Sequence, residues 1–408
     1  MHAGDLTNQQ MVDRLIAQGA LWTPALIAAF RATPRHRFLD HVYLYHQKSE
    51  RWRKLATRNP GPEGLRLLYS DRALVTRLSP ANAPAARLPI SSSSQPSLMA
   101  QMLEDLAPAA GHRVLEVGAG TGYNAALLAH VAGPGQVVSL DVDRAVLAGA
   151  ARHLRPFAGR QVCLRHADGR AGWPEAAPYD RLMVTAATDD LEPAWLGQMA
   201  PGGVLVAPLA VAPGLAFVVC GRVTGGVFHG RLTRPAYFMR LRGEGEAGEE
   251  GPKPALGLLG EELLGRGALK QAAAPWAGWF ERRRTRPGWL YFVQALAFFG
   301  WLRGLRLAYQ VLPDGRPTFA VADAARGCLC WLGPTAWQVS GDAGRALGAE
   351  LWQAFLDAGG PWPTEFRLTA TPHGGETADR RGGYFRQGPR CRQTWELTEP
   401  RQRGGWPF

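Results

Sequence analysis

Arg113-Val114-Leu115-Glu116-Val117-Gly118-Ala119-Gly120-Thr121-Gly122-Tyr123 decides the fold class of this 408-residue chain. Val114, Leu115 and Val117 form the short apolar run that a buried parallel strand needs. Gly118, Gly120 and Gly122 then alternate with other residues, so the backbone can turn sharply and let a ligand lie against it. From Tyr123 the pattern turns helical, with Ala125, Ala126, Leu127, Leu128 and Val131 on a continuous apolar stretch. A strand, a glycine turn and a helix open a nucleotide-binding α/β sheet.

The same rhythm continues downstream. Gln136 to Asp141 reads as a second strand ending in a carboxylate 19 residues beyond Gly122, and Asp143 as the cap of a helix reaching Leu154. Val162 to His166 is a third strand with Ala167-Asp168-Gly169 as its exit loop, and Tyr179 to Thr185 a fourth. Leu191 to Met199 reads as a helix, Val204 to Pro208 as a fifth strand, and Ala216 to Val223 with Val227 to Leu232 as a hairpin. Short loops between alternating strands and helices predict an α/β fold with a doubly wound, mostly parallel, Rossmann-like sheet.

Upstream, residues 6–18 and Pro24–Arg31 read as helices, the second with Thr23 as N-cap and Pro24 at its first position. The Arg35-His36-Arg37-Phe38-Leu39 stretch reads as packing of Phe38 and Leu39 beside solvated charges. Residues 42–64 look like an irregular insertion, residues 69–76 like a strand entered from a turn, and residues 82–89 like a loop. Ser91 to Ser94 has the composition of a flexible linker. Its place before the helix Ser97–Leu106 makes it a hydroxyl-bearing loop near the ligand instead.

Gly243 to Pro254 is Gly-, Glu- and Pro-rich and reads as a linker. It separates residues 1–242 from a tryptophan-rich C-terminal α+β domain over residues 255–408. There, Trp289 to Leu302 is the most hydrophobic stretch; it is too short to span a bilayer and reads as a buried helix or strand pair. Leu305–Val311 and Thr318–Val321 suggest a hairpin about Pro313-Asp314-Gly315, residues 343–358 a helix, and residues 365–368 and 394–397 further strands.

The formal charge of +12 allows nucleic acid, a membrane surface or an acidic partner. With no long Lys/Arg block and no nucleic-acid motif, an Arg-rich composition accounts for it, and neither nucleic acid nor membrane is expected as a partner. Five scattered cysteines include Cys328 and Cys330, whose spacing suits buried thiols on one strand face better than zinc or a redox pair. No metal site is expected. Acidic residues early and the lack of an apolar signal core point to a reducing cytoplasm.

The loop chemistry narrows the ligand. A dinucleotide loop wants its third glycine one residue later than Gly122, and a phosphate-binding P-loop wants a Lys-Ser/Thr pair after the glycines. Glu116 would repel a pyrophosphate. S-adenosyl-L-methionine carries no phosphate, and its amino group and sulfonium are cationic, so Glu116, Asp141 and Asp168 at successive strand ends suit it.

Pro34-Arg35-His36-x-Phe38, Ser94-Gln95-Pro96, the loop Glu116 to Tyr123, the block Asp168-Gly169-x-x-Gly172-Trp173-Pro174-Glu175-x-Ala177-Pro178-Tyr179-Asp180 and Val184-Thr185-Ala186-Ala187 run in order over residues 6–240. Together they resemble the protein-L-isoaspartate O-methyltransferase family, which transfers the methyl group of S-adenosyl-L-methionine to a peptide carboxylate. The resemblance implies that Glu116, Gly118, Gly120 and Gly122 serve the methionine portion of the cofactor. It implies that Asp141 holds the ribose, and that Asp168 and the Gly169 backbone hold adenine. Ser94 falls where the family's loop serine binds the acceptor carboxylate, and Thr185 flanks the transfer site.

Two departures stand out. Family repair enzymes have Thr-Ile-Ser-Gln-Pro where this chain has Ser92-Ser93-Ser94-Gln95-Pro96, and they are shorter, without a C-terminal domain. The long, serine-run form resembles the subgroup associated with ribosomal-peptide (graspetide or lanthipeptide) maturation. Those enzymes methylate an aspartate whose ester then cyclises to an aspartimide. The leading expectation is methylation of an aspartyl or isoaspartyl carboxylate in a modified peptide, with residues 255–408 as a recognition module. General isoaspartyl repair and a non-catalytic peptide-binding protein are the alternatives; the oligomeric state stays open.

Overall fold

The computed structural model describes residues 3–49, 51–58, 60–79, 87–134, 136–160, 162–243, 270–276, 289–311, 317–333, 336–374 and 383–398. The residues divide into two compact units. The first comprises Met1–Leu209, Val218–Phe228 and Ala236–Gly251; the second comprises Ala210–Phe217, His229–Pro235 and Pro252–Phe408. Most of the linker expected at 243–254 lies outside the described residues.

The first unit opens with helices α1 (Ala3–Ala17) and α2 (Pro24–Arg31). The stretch read as an insertion is ordered: strands β1 (His41–His46) and β2 (Arg51–Ala56) pair as an antiparallel hairpin, and α3 (Pro62–Leu68) follows. Alternation was masked in the sequence because polar residues cover most of both strands; Val42 alone in β1 is buried. With β3 (Leu74–Leu78) and β4 (Pro89–Ser93) they make a four-stranded sheet in the order β2-β1-β3-β4. The serine run is therefore mostly strand: Ser91, Ser92 and Ser93 pair with Arg77, Val75 and Leu74.

The principal sheet of this unit holds β5 (Val114–Val117), β6 (Val137–Asp141), β7 (Val162–His166), β8 (Tyr179–Val184) and β9 (Met199–Ala212). They run parallel in the order β7-β6-β5-β8-β9, so the chain reverses direction across β5, at the glycine loop. In an open α/β sheet, ligands gather at the carboxyl ends of the strands at such a reversal. Helices α4 (Pro96–Leu106), α5 (Tyr123–Ala132) and α6 (Arg144–Leu154) complete the fold, α5 and most of α4 buried in the core. Asp143 caps α6 as expected, accepting from the Ala145 and Val146 N–H groups. The helix expected at residues 191–199 shrinks to α7 (Pro193–Gly197), because the β9 backbone already pairs from Met199.

Strands β10 (Leu215–Thr224) and β11 (Val227–Pro235) follow β9. In the second unit β17 (Phe366–Pro372), β18 (Tyr384–Gln387) and β19 (Cys391–Leu397) pair antiparallel in the order β18-β19-β17. A second sheet orders β12 (Lys270–Ala273), β16 (Ala336–Val339), β15 (Cys328–Trp331), β14 (Pro317–Asp323) and β13 (Arg306–Val311). The β13–β14 hairpin is present, while its expected turn at 313–315 lies outside the described residues. Trp289–Leu302 is a single helix whose Phe292, Leu296 and Phe298 are fully buried, and Gly341–Asp357 is the other helix expected there. Cys328 and Cys330 are buried thiols, and all five cysteines are free. Among the described residues no helix is long and apolar enough to cross a membrane, and no His, Cys, Asp and Glu group could hold a metal.

Candidate active site

The glycine loop takes its shape from β5, all four of whose residues are buried. The Gly118 and Ala119 N–H groups both donate to the Leu140 carbonyl at 2.8 Å, tying the loop to the end of β6. Gly118, Gly120 and Gly122 have φ of 99°, 52° and 82°, a region glycine enters without steric cost. Their surroundings differ. A Cβ on Gly118 would lie 2.4 Å from Thr185 Oγ1, and one on Gly122 would meet Ala150 Cβ at 3.2 Å. A Cβ on Gly120 would have the Ser92 carbonyl oxygen, at 3.7 Å, as its nearest neighbour. Gly122 thus lets α6 close on the loop, while Gly118 makes room for Thr185.

Thr185 sits at the end of β8. Its hydroxyl has the Gly118 carbonyl at 2.7 Å and the Val117 carbonyl at 3.1 Å, so its one proton is committed to bracing the loop. Asp141 sits at the end of β6 and accepts from the Gly120 N–H at 3.1 Å and the Asp143 N–H at 3.0 Å. Burial raises its pKa, against those two hydrogen bonds and the Arg242 charge. Arg242 donates to the Ile90 carbonyl at 3.2 Å, beside the same serine strand.

Glu116 lies beneath the loop rather than at its mouth. It is fully buried, accepting from Asn124 Nδ2 at 2.7 Å and from the Ser139 hydroxyl. Burial pushes its carboxyl up to about 7, against the two hydrogen bonds. The sequence placed a charge at the loop; the structure encloses it with two partners.

Asp168 ends β7. Its carboxylate accepts from the Arg170 N–H at 2.9 Å and is held by the Arg170 guanidinium at 3.0–3.2 Å. Gly169 is buried against Val117, whose Cγ1 would lie 2.3 Å from an added Cβ, and its carbonyl accepts from Trp195 Nε1 at 2.7 Å. Gln198 braces the same turn through the Trp173 N–H and the Ala171 carbonyl. The segment after β11 crosses this corner: Leu241 N–H donates to Ala187 O, and Gly243 packs on Arg170.

Ser94 is half-buried, immediately after β4. Its carbonyl is fixed by Arg35, the residue the sequence reading left among solvated charges. Arg35 is fully buried, and donates to Ser93 Oγ and to the carbonyls of Leu68, Ser70, Arg72, Ser93 and Ser94 at 2.8–3.2 Å. Desolvation lowers its pKa to about 10, so it remains cationic at neutral pH. Asp71, also unforeseen, anchors the other side of the serine corner through Gln95 Nε2, the Ser97 N–H and the Ser97 hydroxyl at 2.8–3.0 Å. Burial raises its pKa, but these bonds and the Arg35 charge outweigh that and hold it below the usual value. Both signals lay in the sequence as isolated polar residues, with nothing local to show that one guanidinium would gather carbonyls from three segments.

Residues 77–232 match the family described as protein-L-isoaspartate(D-aspartate) O-methyltransferase. A protein-L-isoaspartate O-methyltransferase of Xanthomonas axonopodis pv. citri is 32% identical over 242 residues, covering 58% of this chain and 91% of that protein. The chain belongs to the protein-L-isoaspartate O-methyltransferase family. A protein-L-isoaspartate O-methyltransferase from Halorhodospira halophila is 37% identical over 210 residues, 50% of this chain and 78% of its own length. Against the one from Azorhizobium caulinodans identity is 48%, but the match spans 52% of that protein and 28% of this chain. A solved protein-L-isoaspartate O-methyltransferase aligns with 89% of this chain and 96% of its own at 23% identity, with a TM-score of 0.49. The family match includes β4, the glycine loop and Asp168; Arg35 and Asp71 lie before it.

Proposed function

We propose that this chain is an S-adenosyl-L-methionine-dependent O-methyltransferase of aspartyl or isoaspartyl carboxylates in peptides or proteins. The observation that carries the proposal is at Gly120: its N–H is held by Asp141 while its open side faces the Ser92 carbonyl. The cofactor loop and the serine corner therefore meet with no side chain between them.

The residues fit the cofactor. Positive φ at Gly118, Gly120 and Gly122 leaves a backbone cradle for the methionine portion, with Asp141 and the Leu140 carbonyl holding its N–H groups and Glu116 buried before it on Asn124 and Ser139. Each Asp141 oxygen accepts one backbone N–H and keeps a second lone pair for a ribose hydroxyl. Asp168 and the Gly169 backbone line the adenine end. S-adenosyl-L-methionine, when bound, supplies an electrophilic methyl group.

The rest falls to the protein. A peptide carboxylate with a pKa near 4 is ionised at pH 7, so no general base is needed. Ser94 Oγ–H orients one carboxylate oxygen as a neutral donor without quenching its charge, and Thr185 keeps the facing loop rigid. Orientation and exclusion of water are then the main contributions of the site.

At finer grain, the serine run and residues 255–408 favour a constrained ribosomal peptide as substrate, with the C-terminal domain as its recognition module. In such a peptide the methyl ester would cyclise to an aspartimide, the next backbone nitrogen displacing methanol. General isoaspartyl repair is the second reading, favoured by the names of the relatives. Mass spectrometry of candidate peptides with enzyme and cofactor tests both. Gain of one methyl group supports carboxyl methylation, and subsequent loss of methanol supports the cyclising peptide. Efficient transfer to an unconstrained isoaspartyl peptide would overturn the specialised reading. Cofactor binding without transfer to any aspartyl or isoaspartyl peptide would overturn the activity itself.

A further inference from the structure

The β1–β2 hairpin is outside the matched family region and unused by the site described above. Strand β2 is the edge of its sheet, so one side of its backbone has no partner strand among the described residues. Arg51, Arg53 and Lys54 on it are exposed. Among the described residues, no acidic side chain pairs with these three; the nearby Arg58 lies 3.9 Å from Asp40 and is set apart from them. Exposed edge strands invite pairing with another chain, and a row of cations on one selects which chain.

Aromatic surface accompanies Lys54, while Arg51 and Arg53 project from the other face of the strand. Tyr45, 47% exposed, packs on Trp52 with ring centroids 5.0 Å apart, and His41 packs on Tyr43 at 5.3 Å. By strand alternation His41, Tyr43, Tyr45, Trp52 and Lys54 share one face, opposite the buried Val42. The sheet's other edge is β4, whose Ser92 carbonyl faces Gly120. Register carries directly across: Lys54 pairs with Tyr43, Tyr43 with Val75, and Val75 with Ser92. One small sheet thus has the candidate active site at one edge and, at the other, a basic strand that no acidic side chain among the described residues neutralises.

We infer that the β2 edge docks an extended acidic segment of the peptide substrate by strand addition, with Arg51, Arg53 and Lys54 pairing its carboxylates. The inference rests on the peptide-methylating reading and names the substrate's charge class. Three strand intervals separate β2 from β4, about 14 Å. A strand added outside β2 lies one interval farther, about 19 Å from β4, which an extended chain covers in about six residues, so the docking segment lies at least that far from the methylated carboxylate. Single-stranded nucleic acid would also suit cations and aromatic rings. A backbone edge with no partner strand among the described residues favours a peptide, because only a polypeptide can satisfy it in ladder geometry.

The test uses the full chain and a fluorescently labelled Asp/Glu-rich peptide of about eight residues, read by anisotropy without cofactor. Arg51→Glu/Arg53→Glu/Lys54→Glu should weaken binding on the order of tenfold or more, and the triple Gln variant should weaken it less. An Asn/Gln version of the peptide, or one with alternate backbone amides N-methylated, should bind weakly to the unaltered protein. S-adenosylhomocysteine affinity, unchanged in both variants, certifies that they fold. Equal peptide binding by the Glu variant would overturn the proposal, as would full binding of the N-methylated peptide. Tighter binding of a single-stranded RNA oligonucleotide that displaces the peptide would overturn it in favour of nucleic acid. Because the readout is binding, it stands apart from whether methyl transfer occurs.

Discussion

Arg35 Nη2 donates to the Ser94 carbonyl at 2.9 Å, joining a fully buried guanidinium to the residue proposed to orient the acceptor carboxylate. The same group satisfies carbonyls from the end of α3, the turn before β3 and the end of β4. Arg35→Ala would leave those acceptors unpaired, at about 1–3 kcal/mol for each one that water cannot reach. The expected result is a loss of about 3 kcal/mol or more in urea unfolding, with turnover falling because the Ser94 backbone is released. Arg35→Lys should recover only part of both, since an ammonium cannot fork between segments. An unchanged unfolding midpoint in Arg35→Ala would show that the network carries no stability.

Glu116 predicts a pH dependence. Its native pKa of about 7 stands above the ordinary carboxyl value of 4.5, so the folded protein holds a proton that the unfolded chain releases between those values. By linkage, stability from this group is fully present below pH 4.5 and is lost as pH rises through 7. The loss is about 3 kcal/mol at most. Glu116→Gln keeps an acceptor for Asn124 and a group for Ser139 while abolishing the titration. Thermal unfolding of the cofactor-free protein from pH 5 to 8 should therefore be flatter in Glu116→Gln than in the unaltered chain. Parallel curves would assign the titration to another group.

The two carboxylate ends and the serine corner predict separable losses. Asp141→Ala removes the acceptor for the Gly120 and Asp143 N–H groups and for the ribose, so S-adenosylhomocysteine affinity should fall at least tenfold by calorimetry. Ser94→Ala should lower kcat while leaving that affinity nearly unchanged. Equal losses of affinity in the two variants would give Ser94 a different role.

What the sequence made legible followed local pattern. The glycine spacing, the Asp141 and Asp168 strand ends and the alternating apolar runs place the parallel sheet, because buried strands and glycine turns are written in consecutive residues. The β1–β2 hairpin was not legible: a sheet with little burial carries little alternation, and aromatic and basic residues cover it. Arg35 and Asp71 were missed because their meaning lies in partners 24–59 residues away along the chain. Glu116 was visible as a residue but not as a buried one, since Ser139 and Asn124 enclose it from a different strand and from α5.

Gly169 offers a test of packing at the adenine end that does not depend on a positive φ. An alanine there would place its Cβ 2.3 Å from Val117 Cγ1, in a corner where Val117 is 1% exposed and Trp195 holds the Gly169 carbonyl. Overpacking of this kind costs about 1–3 kcal/mol, and the displaced backbone should also weaken S-adenosylhomocysteine binding. Val117→Ala alone removes two methyl groups from the core and should destabilise by about 1–3 kcal/mol. Combined, Gly169→Ala fills space that Val117→Ala vacates, so the double variant should be more stable than the sum of the two single losses. Calorimetric affinity should recover in the double variant if the clash alone displaces the Asp168–Gly169 turn. Strict additivity of the two losses would mean that the backbone at Gly169 shifts away from Val117 and that the contact does not hold the turn in place.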